Sequence, residues 1–431
     1  MLTQAENELL TQTNSTTPMG QYFRRFWQPV ALSREVAERD DPPVKVTVMG
    51  EQLVAFRDTG GHVGLVDAHC PHRGANLYFG RNEECGLRCV YHGWKFDRHG
   101  NVVDMPNVPA SARMRDEVRI KSYPTAEYGD LVWAYLGPQD GPRPELPQLE
   151  FGLVGAQNRY VSKRFNECNW AQTMEGGLDT SHFSFLHMPA PAVPSDENPD
   201  APADARRLRW IRNDPMPQFH ILEHDVGFVI GGARDGDEGE DYWRITQYLV
   251  PAHGTGPSAL PGETYFGYTL VPVNDRSHWI YTYGWNPERE LTKAEVQKLN
   301  EGHGIVAAVD AQFRGIRNRC NDYLIDRHAQ KHDTYTGVKG LAEQDAMIQE
   351  SQGDIVDRTR ENLTATDAAV VRFRRTVIDG ANSLLAGGTL QAPLKHEHYK
   401  TRPGSWMTKA GTPMEEVMVE RFGDRLGRLT K

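Results

Sequence analysis

Residues 70–97 read CPHRGANLYFGRNEECGLRCVYHGWKFD, and four of their side chains are of metal-binding type: Cys70, His72, Cys89 and His92. The spacing is C-x-H, sixteen residues, then C-x2-H, so two loops each offer one thiolate and one imidazole. Two sulfide-bridged irons need four protein ligands, and such a set can place both cysteines on one iron and both histidines on the other. Neutral imidazoles in place of two anionic thiolates make the cluster accept an electron more readily. Gly74 and Gly93, one in each loop, would let the loops close tightly over it. Tetrahedral Zn2+ is the rival occupant, because two Cys and two His suit it equally well. Zinc fingers, however, usually pair like with like, whereas each loop here is mixed.

A second constellation lies about ninety residues further on, in EGGLDTSHFSFLH, which holds Asp179, His182 and His187. In an ideal helix five residues turn through roughly 500°, so these histidines would point about 140° apart. They can share a metal only if the helix ends or bulges near Phe183–Leu186. In a continuous helix Glu175, Asp179 and His182 share one face. Two imidazoles and one carboxylate make a facial triad that leaves positions open for O2. The plainer alternative is that both histidines are core residues, hydrogen-bonded among Phe183, Phe185 and Leu186.

The first motif, with its flanks CPHRGA and YHGWKFD, resembles the Rieske motif of ring-hydroxylating oxygenases. The pattern N-W-x4-E-G-G-x-D-x2-H-x4-H, from Asn169 to His187, resembles the catalytic signature of Rieske non-haem iron oxygenases. Its E-G-G form is similar to the phthalate dioxygenase group, whose oxygenase has a single type of subunit. The likeness spans nearly the whole chain, including PMGQYFRRFWQPV and AEQDAMIQESQG. It implies a [2Fe–2S] Rieske cluster on Cys70, His72, Cys89 and His92, and a mononuclear Fe(II) on His182, His187 and an aspartate of a late helix. Among Glu343, Asp345, Glu350, Asp354 and Asp357, Asp345 fits the family's E-x-D-x4-E register. The resemblance gives Asp179 a different place, between the two centres. There it hydrogen-bonds an iron-ligating histidine and, across a subunit interface, a histidine of the neighbour's cluster, here assigned to His92. A homo-oligomer is therefore expected, a trimer or a stacked hexamer. Respiratory Rieske proteins carry two further cysteines that cross-link the loops. Those positions are Ala75 and Tyr91 here, and Cys85 reads as a bystander thiol.

The same resemblance implies an aromatic carboxylate as substrate: phthalate first, converted to a 4,5-cis-dihydrodiol. Chlorobenzoate- or phenoxybenzoate-type dioxygenation and aromatic O-demethylating monooxygenation are the alternatives within the class. A carboxylate in a largely apolar pocket needs a charge-assisted partner, and the planar fork of arginine matches it best. Arg244 interrupts the apolar and aromatic run YWRITQYLVP, and Arg207 in ARRLRW is a second candidate. Two arginines near the iron favour a dicarboxylate; one favours a benzoate. The chain has no G-x-G-x-x-G fingerprint, so NAD(P)H electrons are expected through a separate flavin and iron–sulfur reductase. Rivals from other classes are a Rieske electron-transfer protein without oxygenase chemistry and a zinc-stabilised binding module.

The elements that must hold these residues are partly readable. Between about residues 25 and 140, short β-like runs such as VKVTVMG, QLVAFRD and GDLVWAYLG alternate with turn signals. The proline-rich GPQDGPRPELPQLE (137–150) reads as a linker. Further strands follow in FHILEHDVGFVIGG, YWRITQYLVP and TYFGYTLVPVNDRSHWIYTYGW. The final third is mostly helical: Thr364 with Asp367 resembles a capping box, and Ala369/Val370, Phe373 and Val377/Ile378 recur at helical spacing. The expected class is α+β. An N-terminal segment and all-β Rieske domain span 1–145, and a mononuclear-iron catalytic domain, an antiparallel sheet with helices, spans 146–431.

Composition sets outer limits. The 431 residues are 39% hydrophobic and 25% charged, as in ordinary globular chains. A net charge of -10 without any Lys/Arg block argues against nucleic acid as partner. No basic-then-apolar leader and no run of 18 apolar residues is present, so neither secretion nor a membrane span is expected. Five cysteines, an odd number, suit a reducing compartment, and the cytoplasm is expected.

Overall fold

Strand signals in the first third resolve into three small antiparallel sheets. Met49 and Gly50, both at positive φ, fold VKVTVMGEQLVAF back on itself and pair Val44–Val48 with Glu51–Arg57. Val63–Asp67 and Ser122–Tyr123 complete that sheet. A second sheet runs Arg81–Glu83, Gly86–Arg88, Lys95–Phe96, Val102–Asp104. Leu131–Tyr135 sits between Trp27–Leu32 and Thr125–Tyr128 in the third. Both metal-type loops spring from the second sheet and the strand before it, and Cys70 and Cys89 lie in one buried cluster with Phe56, Leu77, Leu87 and Phe96. This computed structural model describes residues 1–109, 112–190, 203–256 and 262–422.

The later strands form one eight-stranded antiparallel sheet. Its order is Arg159–Asn166, Ser277–Trp285, Tyr265–Asn274, His253–Gly256, Glu240–Leu249, Gly227–Asp235, Gln218–His224, with Gly404–Lys409 paired to Glu240–Leu249. The expected VNDRS turn closes the hairpin at Asn274 and Ser277. Side chains alternate across a strand. Trp243 and Ile245 therefore pack under Met414, Val417 and Met418 on one face, while Tyr242 meets Trp210 and Ile211 on the other. Arg244 shares the Tyr242 face, which is where the second constellation lies.

Two helices bring that constellation together. Trp170–Leu178 begins at Asn169, whose side chain accepts from the Ala171 amide, and it packs on Leu341–Ser351. Ala368–Leu385 buries the expected Ala369, Val370, Phe373, Val377 and Ile378, and the Thr364–Asp367 capping box is formed ahead of it. This helix packs on two N-terminal helices, Gln4–Thr11 and Pro18–Arg24, for which no helix was expected. The proline-rich passage has no regular structure from 138 to 149 and is tied down at Pro144 and Gln148. Among the described residues, no helix is long and apolar enough to cross a membrane.

Candidate metal centres

Each half of the first motif is a tight turn. Cys70 N–H donates to Ala75 O and Gly74 N–H to Cys70 O, both at 2.9 Å. In the other loop Cys89 N–H donates to Trp94 O at 2.8 Å and Gly93 N–H to Cys89 O at 3.0 Å. Gly74 and Gly93 sit at φ +72° and +80°. At Gly93 a side chain would also strike Pro106, with a Cβ 2.6 Å from Cγ. These turns place the His72 and His92 rings 4.4 Å apart and stack His72 on Trp94. Cys70 and Cys89 are buried and not disulfide-bonded. Burial, together with the Cys89 thiol beside it, pushes the Cys70 thiol up to about 11, so its thiolate needs a cation.

The four donors fit a two-iron cluster better than a single ion. One tetrahedral zinc holds all its donor atoms within about 4 Å of one another. Among the described residues, three such donors come within 4.8 Å of each other only at His182, His187 and Asp345, not in these loops. The His92 Nδ1 is buried and has no hydrogen-bond partner among the described residues, which suits a ligand nitrogen.

The second constellation departs from the expected helix break. The Trp170–Leu178 helix stops before either histidine, not at Phe183–Leu186. Asp179 is its extended C-cap and donates its N–H to Glu175 O, and His182–Ser184 is a separate 3-10 turn. Glu175 therefore does not share a face with His182. It lies between Arg358 and Arg374, with contacts of 2.8 and 2.7 Å. Burial raises its carboxyl, but these two cations outweigh burial and hold it below the usual range.

The turn brings His182 Nε2 within 3.1 Å of His187 Nε2, and Asp345 Oδ1 lies 3.2 Å from the latter and 3.8 Å from the former. Three facial ligands about 2.1 Å from one metal stand roughly 3.0 Å apart, so the set fits one ion. Burial raises the Asp345 carboxyl, yet His187 first and then His182 hold it below its ordinary value. Asp179 stands outside this triad. Its Oδ2 lies 3.5 Å from His182 Nδ1, the nitrogen on the far side of the ring, and its Oδ1 accepts from Ser181 N–H and Oγ at 2.6 Å. Burial raises the Asp179 carboxyl, but His182 and the two Ser181 hydrogen bonds together hold it below its ordinary value.

Close helix packing delivers Asp345 to the histidines. A Cβ on Gly177 would stand 2.0 Å from Tyr268 Oη and one on Gly176 2.7 Å from Gln349 Nε2, which accounts for the E-G-G motif. Gln172 and Thr173 hydrogen-bond Gln349 across the two helices. The other acids of this stretch are engaged elsewhere: Glu350 with Tyr323 and the Glu167 amide, Glu343 with the Ala308 amide, Asp354 with Arg319, and Asp357 with Thr359.

Beside His187 opens a cavity of about 630 Å³, lined among others by Phe183, Met188, Arg207, Arg244 and His303. Arg244 is buried. Its Nε donates to Thr180 Oγ1 at 3.0 Å and its guanidinium lies 4.0 Å over the Phe183 ring. Its Nη2 is buried with no hydrogen-bond partner among the described residues. Burial pushes the guanidinium below its ordinary value, the neighbouring Tyr242 hydroxyl pulls it back up, and Arg207 pushes it down again, with burial prevailing. Both arginines singled out in the sequence thus face one cavity. Sequence reasoning passed over Thr180, Arg234 and Gln344. Arg234 donates to Thr180 O at 2.7 Å from the neighbouring strand, and Gln344 Oε1 lies 2.7 Å from His187 Nδ1. Glycine opposite Arg244, at Gly232, was the available signal, since a Cβ there would strike Thr180 at 2.5 Å.

Residues 26–124 match the Rieske [2Fe-2S] domain, and residues 134–396 match the family described as LigXa C-terminal domain like. The chain is 38% identical over 393 residues to the phthalate 4,5-dioxygenase oxygenase subunit of Pseudomonas putida, covering 90% of this chain and 88% of that one. It is 32% identical to the 3-chlorobenzoate-3,4-dioxygenase oxygenase subunit of Comamonas testosteroni, covering 97% and 98%. Among solved structures, dicamba monooxygenase bound to dicamba shares the fold, with a TM-score of 0.57 at 18% identity, over 84% of this chain and 99% of that one.

Proposed function

This chain belongs to the Rieske non-haem iron ring-hydroxylating oxygenases, in the phthalate dioxygenase-like group, and on that footing we propose that it cis-dihydroxylates an aromatic dicarboxylate, phthalate first, at the 4,5 positions. It is a terminal oxygenase subunit with a Rieske [2Fe–2S] cluster and a mononuclear iron. When bound, the cluster supplies single electrons and the iron binds and activates O2. We assign Cys70, His72, Cys89 and His92 to the cluster and His182, His187 and Asp345 to the iron.

The observation that carries the substrate reading is the orphaned Arg244 Nη2 in a cavity beside His187. A buried unpaired guanidinium donor is costly unless a ligand completes it. A substrate carboxylate does so, and Arg207 on the same wall takes the second carboxylate of a dicarboxylate. Phe183, under the Arg244 guanidinium, gives the aromatic ring an apolar surface. Asp179 orients His182 by accepting from Nδ1–H, and in the proposed assembly its carboxylate also meets His92 of the partner subunit. Exposed apolar side chains near both sites suit such head-to-tail packing into a trimer or stacked hexamer. Phe79, Val90 and Tyr91 lie beside the cluster loops, and Phe185 pairs with Tyr335 beside the histidine turn. Electrons come from NAD(P)H through a flavin and iron–sulfur reductase. The five free cysteines suit a cytoplasmic setting, and we retain a domain division at 145/146.

The test is turnover of phthalate under ¹⁸O2 with a compatible reductase. A cis-dihydrodiol with two labelled oxygens supports the proposal. One labelled oxygen moves the enzyme to the monooxygenases, and turnover of chlorobenzoate in place of phthalate removes the dicarboxylate reading.

A further inference from the structure

Gln344 directly precedes Asp345 on the Leu341–Ser351 helix, and its side chain reaches two groups that leave its amide only one orientation. Its Nε2 donates to the Val338 carbonyl at 2.8 Å. A carbonyl oxygen can only accept, so the NH2 end of the amide must face Val338. The oxygen end then faces His187 Nδ1, 2.7 Å away. An amide oxygen can only accept in its turn, so Nδ1 carries the ring proton and Nε2 keeps its lone pair. That Nε2 is the atom 3.1 Å from His182 Nε2 and 3.2 Å from Asp345 Oδ1.

We propose that Gln344 is the positioning residue for His187: relayed from the Val338 carbonyl, its amide fixes the imidazole tautomer and turns Nε2 into the triad. The inference rests on the iron reading above and adds a residue to it. The two histidines then have unequal supports. His182 Nδ1 faces the Asp179 carboxylate, a charged acceptor, whereas His187 Nδ1 faces a neutral amide. Outer partners of this kind orient metal-ligating histidines and raise their basicity. Because Gln344 and Asp345 are adjacent, one helical turn provides a ligand and the support of a second ligand. The anchor is firm, since Gln344 N–H donates to Gly340 O at 3.0 Å and Val338 is buried.

The test uses the full-length protein with its Rieske cluster intact and its mononuclear site emptied by chelation, titrated with Fe(II) under anaerobic calorimetry. Gln344→Met keeps the side-chain length and removes the acceptor. Its Fe(II) dissociation constant is expected to rise about 10- to 100-fold, with Rieske absorbance and melting temperature unchanged. Gln344→Glu keeps the acceptor and gives up the Val338 contact, and it is expected to hold Fe(II) within roughly threefold of wild type. Wild-type affinity in Gln344→Met overturns the inference. Should Gln344→Met lose the cluster, Gln344→Ala is titrated in its place: a comparable rise in the dissociation constant, with Gln344→Glu near wild type, supports the proposal, and wild-type affinity in Gln344→Ala overturns it. A wild type that binds no more Fe(II) than His187→Ala removes the iron reading itself. Retained binding in wild type with an indifferent Gln344→Met removes only the role of Gln344.

Discussion

Replacing Arg244 with methionine should separate stability from turnover, because the guanidinium is poorly satisfied until a ligand arrives. In the unliganded protein the change loses a charged hydrogen bond to Thr180, about 1.5–3 kcal/mol, and a cation–π contact with Phe183, about 0.5–2 kcal/mol. Against this it removes a buried donor with no partner among the described residues, about 1–3 kcal/mol, and a guanidinium that burial and Arg207 disfavour more than Tyr242 favours it. The methionine retains an apolar stem over Phe183. These terms offset one another within their spread, so the melting temperature should move by no more than a few degrees. With phthalate bound the balance changes. A substrate carboxylate left unpaired in the cavity costs about 2–5 kcal/mol, or roughly 30- to several-thousand-fold in kcat/KM. Arg244→Lys keeps the charge without the fork and should fall between. The assay is kcat/KM for phthalate with a saturating reductase, beside thermal melts and iron content for each variant. Turnover of phthalate by Arg244→Met within about threefold of wild type would refute the reasoning. So would a large fall in melting temperature that accompanies the loss of activity.

Asp179→Asn keeps the shape of the side chain and withdraws the charge facing His182 Nδ1. Both metal contents should stay at wild-type levels and reduction of the Rieske centre should be unchanged, while product formation falls by about 100-fold. Rapid-mixing spectroscopy of the cluster beside product counting checks this, and normal product yield sinks the bridge assignment. Burial lowers His224 to about 4, His253 to about 3 and His278 to about 4. Their folded values lie below the unfolded value of about 6.5, so the unfolded chain takes up protons first. Their stabilisation is complete above about pH 6.5 and is lost as the pH falls toward 4, at about 1.4 kcal/mol per unit of difference. Melts at steps from pH 7.5 to 4.5 should show that descent, and a flat profile contradicts it. Glu175→Gln leaves Arg358 and Arg374 buried without their shared carboxylate and should cost about 3–5 kcal/mol at pH 7. Because the Glu175 carboxyl is held low, that wild-type advantage is present above about pH 4.5 and shrinks as the pH falls through its folded value. Denaturant melts of both proteins at pH 7 and pH 4 measure it.

What the sequence made legible depended on how local the cause was. The cluster loops are short-range objects in which donors, glycines and turns all lie within 28 residues, and their geometry follows from that spacing. The Thr364–Asp367 box and the apolar face after it were equally local and are formed. Thr3 and Glu6 form the same kind of box ahead of Gln4–Thr11, so that helix left a readable signal that was passed over. The helix end at Leu178 was misplaced for a different reason. Five-residue spacing shows that a break is needed, but its position is set by packing: Gly176 and Gly177 press against Gln349 and Tyr268, and Asp179 turns away into the Ser181 contacts. Glu175 was read onto the metal-facing side because its true partners, Arg358 and Arg374, lie nearly two hundred residues later. Gln344 has no identity as a metal-site residue until Val338 and His187 flank it.

The four residues from Asp179 to His182 show why a helix could not have continued through them. Asp179 faces the outer nitrogen of His182, while Thr180 accepts from Arg244 through its hydroxyl and from Arg234 through its carbonyl. Ser181 closes a turn on Asp179, and His182 carries its Nε2 to the triad. Within one short interval the side chains therefore supply the proposed electron bridge, a hold on the proposed substrate cation, and a ligand of the proposed metal site. A helix rotates consecutive side chains by about 100° and would also tie up the Thr180 carbonyl in its own hydrogen bonds. An extended cap followed by a 3-10 turn leaves that carbonyl for Arg234 and lets each residue face a different partner. On this reading the odd spacing of the two histidines follows from Asp179 and Thr180: they need a non-helical backbone, and the 3-10 turn that follows brings the second imidazole back to the first.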